Sequence, residues 1–107
     1  MNSGGTSFLV NNRVNGDITV AGGVGTVIVP NVNVFSNYIG IKGSNSISEF
    51  TGVITDTDTG HELSEVRARS GDRGQATSKA LGVPLYNITI TISLASEDGT
   101  YTYLLMG

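Results

Sequence analysis

Apolar side chains recur at every second position along much of this chain, and the clearest run lies between Leu85 and Met106. Tyr86, Ile88, Ile90, Ile92 and Leu94 alternate there with Asn87, Thr89, Thr91 and Ser93, the period of a strand with one apolar and one wet face. Asp98-Gly99 follows, and both residues tolerate the positive φ of a type I′ turn. A two-residue turn there pairs Glu97 with Thr100, Leu94 with Tyr103 and Ile92 with Leu105. The pattern thus predicts a closing β-hairpin whose apolar face continues through Tyr103 and Leu105. Leu104 and Met106 fall on the other face, beside Thr91, Ser93 and Thr102. A last strand apolar on both sides is either a buried central strand or half of a subunit interface.

The same reading places further strands upstream. Phe8-Leu9-Val10 is a short candidate, and Asp17 to Pro30 reads as two strands around the turn Gly22-Gly23-Val24-Gly25. Val32, Val34, Tyr38, Ile39 and Ile41, interleaved with Asn31, Asn33 and Asn37, mark the next, before a turn at Gly43–Ser46. Glu49 to Thr57 alternates with Phe50, Gly52 and Ile54 on one side and Thr51, Val53 and Thr55 on the other. After Asp58-Thr59-Gly60, residues 61–69 alternate weakly, with Val66 and Ala68 inward and Glu65, Arg67 and Arg69 outward. Residues 70–84 are the longest stretch without strand character, a length often given to binding or assembly loops.

Seven or eight short strands and no long helix predict an all-β fold, an antiparallel β-sandwich or flattened barrel. A chain of 107 residues is one domain, here a flexible arm over 1–7 and a β-sandwich over 8–107. Val, Ile and Thr with 15 Gly and only 14% charged residues describe a β-protein rather than a disordered one. The net charge of -3 and pI of 4.8 give no electrostatic reason to approach nucleic acid or anionic membrane. With no cysteine, disulfides and thiolate metal sites are excluded. No secretion signal and no membrane-length apolar run is visible, so the expectation is synthesis and folding in a cytosol.

The candidate chemistry is thin. Gly22-Gly23-Val24-Gly25 lacks the GK[ST] and the following helix of a phosphate loop, and reads as a hairpin turn. Asp56, Asp58, Glu62 and Glu65 offer carboxylates to a hard cation, but the spacing departs from a calcium loop and fits a turn capped by its own Asx side chains. His61, the sole histidine, could join Ser64, Ser70 and Asp72 only on paper, because no nucleophile elbow is present. A carboxylate pair for glycoside hydrolysis is not singled out among nine Asp and Glu, most of which read as turn-adjacent or outward. Without tryptophan and with 7% aromatic residues, a sugar-stacking platform is poorly supplied. Of Tyr38, Tyr86, Tyr101 and Tyr103, Tyr103 reads as core and Tyr101, near the hairpin tip, as exposed. Asn87-Ile88-Thr89 matches a glycosylation sequon, which carries little weight without a secretory signal. The expectation is no catalytic residue, no cofactor and no metal.

Assembly is the better-supplied reading. Arg67, Arg69, Arg73 and Lys79 place four of six basic residues within thirteen positions. They suit a contact with the acidic turn of a neighbouring copy, and the plain alternative is a solvated loop that prevents edge-to-edge association. With Leu104 and Met106 they form the expected interface set. A Thr/Asn/Gly-rich, cysteine-free, weakly charged chain without an export signal suits a particle assembled in a host cytoplasm and released by lysis. The function expected is therefore non-enzymatic and structural: a small bacteriophage or virus virion component such as a capsid decoration (cement) subunit, with a tail or fibre piece next. It would associate with itself or with a protein lattice such as a capsid shell. The alternative is a monomeric β-sandwich module for a glycan or cell-surface ligand, with or without calcium at the Asp56/Asp58 turn.

Overall fold

A computed structural model describes residues 13–30, 34–35, 38–79, 84–85 and 87–106, with the backbone alone at 34, 35, 79, 84 and 85. Ten strands follow one another: β1 (Arg13–Val20), β2 (Gly25–Val29), β3 (Val34–Phe35), β4 (Tyr38–Lys42), β5 (Phe50–Asp56), β6 (Glu62–Ala68), β7 (Gln75–Lys79), β8 (Pro84–Leu85), β9 (Ile88–Ser93) and β10 (Gly99–Met106). Eight of them form two four-stranded antiparallel sheets, β1-β10-β4-β7 and β2-β9-β5-β6, and β3 pairs with β8 as a separate ribbon. No helix occurs among the described residues. The expected arm, the strand at Phe8–Val10 and Tyr86 lie outside them.

The two strand orders are related by the chain itself. β1 and β2, β10 and β9, β4 and β5, and β7 and β6 occupy matching places in the two sheets. Contacts of β1 with β2 at one edge and of β6 with β7 at the other fix this alignment. Eight strands in two sheets with this order make a jelly-roll sandwich. Alternation puts Ile39, Ile41, Tyr101 and Leu105 of the first sheet against Ile54, Val66, Ile90 and Ile92 of the second, all buried. One wet and one dry face per strand is what the sequence pattern requires.

Several expectations are corrected. The β9–β10 hairpin does not form: β9 pairs with β2 and β5, and β10 with β1 and β4. A type I′ turn needs positive φ at both central residues, whereas of Asp98 and Gly99 only Gly99 has it, at 131°. Leu94 takes φ 54° and turns the chain out of β9, so it is 81% exposed rather than inward. Leu104 and Met106, by contrast, do sit on a central strand, the first of the two arrangements expected for them, half-buried on its outer face. Tyr101 is fully buried, its ring edge-on to Phe50 with centroids 5.1 Å apart. The supposed loop 70–84 contains β7, an edge strand of the first sheet in which Ala76 is the only buried one of the described side chains.

The hairpin at Gly22-Gly23 is present and is of the type its residues favour. Ala21 and Val24 exchange N–H to carbonyl bonds of 2.9 and 3.3 Å. Gly22 and Gly23 stand at φ 65° and 83°, the left-handed values of a type I′ turn. Beyond this bridge the two strands part into different sheets.

Candidate functional site

Four connections that pass directly from one sheet to the other, 21–24, 43–49, 69–74 and 94–98, emerge at one end of the sandwich. They are stitched side by side. The Gly43 N–H donates to Gly74 O at 2.7 Å. Asn45 Nδ2 donates to Glu97 Oε1 at 3.2 Å. Glu49 N–H donates to Ser96 Oγ at 2.9 Å, and Ser96 N–H to Glu49 O at 2.8 Å. The Ala95 N–H donates to Gly23 O at 3.1 Å, and the Gly23 N–H to Asp98 Oδ1 at 3.3 Å. Beneath them Tyr101 Oη donates to Glu97 O at 2.6 Å, and buried Ser48 hydrogen-bonds the same phenol. Burial, chiefly, raises the Tyr101 phenol above its usual value. Loop backbone tied in this way is held rather than mobile.

On this platform stand Val24, Ile47 and Leu94, exposed by 56, 69 and 81%. They are three of the five large apolar side chains that are exposed among the described residues. The same connections carry Glu49, Asp72, Glu97 and Asp98, with Arg69 and Arg73. Apolar positions within a polar rim are the anatomy of a protein interface.

The opposite end carries the acidic turn. Asp56 Oδ1 accepts the amides of Asp58 and Thr59 at 2.8 and 3.3 Å, and Asp58 Oδ2 accepts Asn87 Nδ2 at 3.2 Å. These carboxylates cap their own turn and dock it on the neighbouring connection. No group of three or more His, Cys, Asp or Glu among the described residues is placed to hold a metal. His61 lies exposed on this turn, with its backbone N–H on Thr59 Oγ1 at 3.2 Å.

The outer face of the β1-β10-β4-β7 sheet is the third surface, and pair registers lay its residues out in rows. Asp17, Thr102, Lys42 and Gln75 form one row, and Asn15, Leu104, Gly40 and Thr77 the next. Arg13, Met106, Tyr38 and Lys79 form the last; the Lys79 side chain lies outside the described residues. A groove of about 460 Å³ runs over these rows. The Tyr38 ring lies against Gly40, so that a Cβ at Gly40 would stand 2.9 Å from Tyr38 Cε1 and Oη.

The six residues expected to form an interface do not make one patch. Leu104 and Met106 are on the outer face of one sheet, while Arg67 is on the outer face of the other, 3.8 Å from Glu65. Arg69 and Arg73 belong to the loop end, where four carboxylates outnumber them. Since the far end is acidic too, a charge-driven head-to-tail contact has little to work with. The apolar loop tips were missed because Val24 and Ile47 stand alone in sequence among turn residues and Leu94 continues the alternation of β9, and only the fold brings all three to one end. No protein-family model matches this chain, and no curated protein aligns with it significantly.

Proposed function

We propose that this chain is a non-enzymatic structural and assembly protein, most concretely a small bacteriophage or virus virion component such as a capsid decoration (cement) subunit. The observation that carries the reading is the loop end, where hydrogen-bonded connections hold Val24, Ile47 and Leu94 outward in a polar rim. Preorganised loops lose little freedom on docking, so the apolar area they bury is not offset by ordering costs. The jelly roll adds a fold-level analogy, since viral capsid domains use it, as do lectins and cupins. A weakly charged, cysteine-free composition rich in Thr, Asn and Gly suits a particle that forms in a host cytoplasm and persists outside it.

In this reading copies of the chain associate through their loop ends, alone or on a shell. Light scattering coupled to size exclusion tests it on the purified protein. The expected result is a closed oligomer for the wild type and a monomer for the Leu94→Gly, Ile47→Ser double variant. A wild type that stays monomeric at high concentration, alone and with undecorated shells, would overturn it.

A further inference from the structure

We propose that the groove on the outer face of the β1-β10-β4-β7 sheet binds a short segment of a carbohydrate chain. The groove lies on the sheet face rather than at the loop end, so this inference does not rest on the assembly reading. A pyranose ring offers an apolar C–H face bordered by hydroxyls that both donate and accept. Its receptor therefore needs a small apolar floor and a border of polar groups fixed on rigid elements. Both are present. Half-buried Leu104 and the Tyr38 ring, 38% exposed, supply the floor. Gly40 is what lets the ring lie there, because any side chain at 40 would collide with it.

The border comes from three strands. Asp17 and Lys42 flank Thr102 in one row, and Asn15 stands beside Leu104 in the next. Arg13 closes the groove beyond them. None of Arg13, Asp17 and Lys42 is ion-paired among the described residues. Carboxylate, amide, ammonium and guanidinium together can accept from and donate to neighbouring hydroxyls. The volume of about 460 Å³ falls within the roughly 300–1,000 Å³ of small-ligand sites.

Other ligands fit less well. A nucleic acid would meet two cations and a carboxylate on a chain of net charge -3, too little for phosphate neutralisation. A peptide strand cannot add to the centre of this face, because β10 and β4 already pair on both sides, and strand addition needs an open edge. A ligand here must be held by side chains through its own hydroxyls.

The test is an NMR titration of the amide spectrum of the full chain. The probes are free oligosaccharides, neutral (maltohexaose, cellohexaose, chitohexaose) and carboxylated (hexagalacturonate, sialyllactose). The expected result is saturable shifts with at least one probe, centred on Asp17, Gly40 and Thr102. Tyr38→Ala and Asp17→Asn should each weaken it about tenfold, with the remaining spectrum showing an intact fold. Leu94→Gly should bind unchanged, which separates failure here from failure of the assembly reading. Absence of saturable shifts with all five probes at millimolar concentration, or binding that survives both groove variants, would overturn the proposal.

Discussion

The δ-methyl of Ile41, on the first sheet, fills the space that a side chain at Gly52, on the second, would need: a Cβ built there stands 2.6 Å from Ile41 Cδ1. Val66 Cγ2 closes the same space at 3.1 Å. The two sheets are keyed at this point by a missing side chain. In a strand, exchanging Gly for Ala ordinarily stabilises by reducing unfolded-state freedom. Here Gly52→Ala overpacks the core, and we expect a loss of about 1–3 kcal/mol. Ile41→Val removes the offending methyl. Alone it should cost about 0.5–1.5 kcal/mol, and in the Gly52→Ala background that cost should vanish. A double-mutant cycle by urea denaturation measures this coupling; simple additivity would show that the two sites are not keyed.

Tyr101 makes stability depend on alkaline pH. Its phenol is raised by burial above all; a hydrogen bond from Ser48 opposes the rise, and the charges of Glu97 and Asp98 add to it. Tyr103 is raised by burial and by Asp17. The folded chain therefore holds these protons to higher pH than the unfolded chain does. Their contribution is complete below the unfolded value near about 10 and is lost as pH rises through the folded values. Urea midpoints should be level from neutral pH to about pH 9 and fall above about pH 10. Tyr101→Phe should cost about 1–2 kcal/mol at neutral pH, because the Glu97 carbonyl loses its donor. It should also flatten the alkaline fall.

The inward and outward positions of these strands were legible in the sequence almost residue by residue. Phe50, Gly52 and Ile54 face in, Val66 and Ala68 face in, and Ile88, Ile90 and Ile92 face in. What a period of two cannot give is the partner. Ile92 and Leu105 point into one core whether their strands pair edge to edge or lie in opposite sheets, so the alternation that suggested a β9–β10 hairpin is equally satisfied by a sandwich. The distinction lies in Leu94, whose left-handed backbone no propensity foretells. β7 was illegible for another reason: an edge strand with one buried residue, Ala76, among its described side chains has no amphipathic signal to read. The rows of the groove depend on register across three separate pairings, which sequence alone does not supply. The Asp56 turn was legible, because Asx capping is local.

Two glycines of one loop separate backbone strain from collision. Gly71 and Gly74 stand at φ 94° and 72°, and each would strain an alanine. Around Gly71 nothing lies within 4 Å, whereas a Cβ at Gly74 would run into the carbonyl of Asn45. We expect Gly71→Ala to cost about 1–2 kcal/mol and Gly74→Ala clearly more, since the 43–49 connection must also move. Thermal denaturation compares them directly. Equal losses would mean that the two loops are not locked together, and the fixed loop end would lose its support.

Leu94 is where stability and association should part company. It is a γ-branched residue at φ 54° with its side chain 81% exposed, so the chain carries strain of about 1–2 kcal/mol for a side chain it leaves largely in solvent. Glycine adopts that backbone without strain, though it has more freedom to lose on folding. The balance predicts that Leu94→Gly leaves unfolding free energy unchanged or raises it by about 0.5–1 kcal/mol, while its Ala95 N–H bond to Gly23 O persists. If the loop end is an interface, the same variant should dissociate the oligomer at concentrations where the wild type is assembled. A chain made more stable and less associated by one substitution is retaining strain for contact with a partner. A variant that loses stability and association together would instead make Leu94 a structural residue of the β9–β10 crossing.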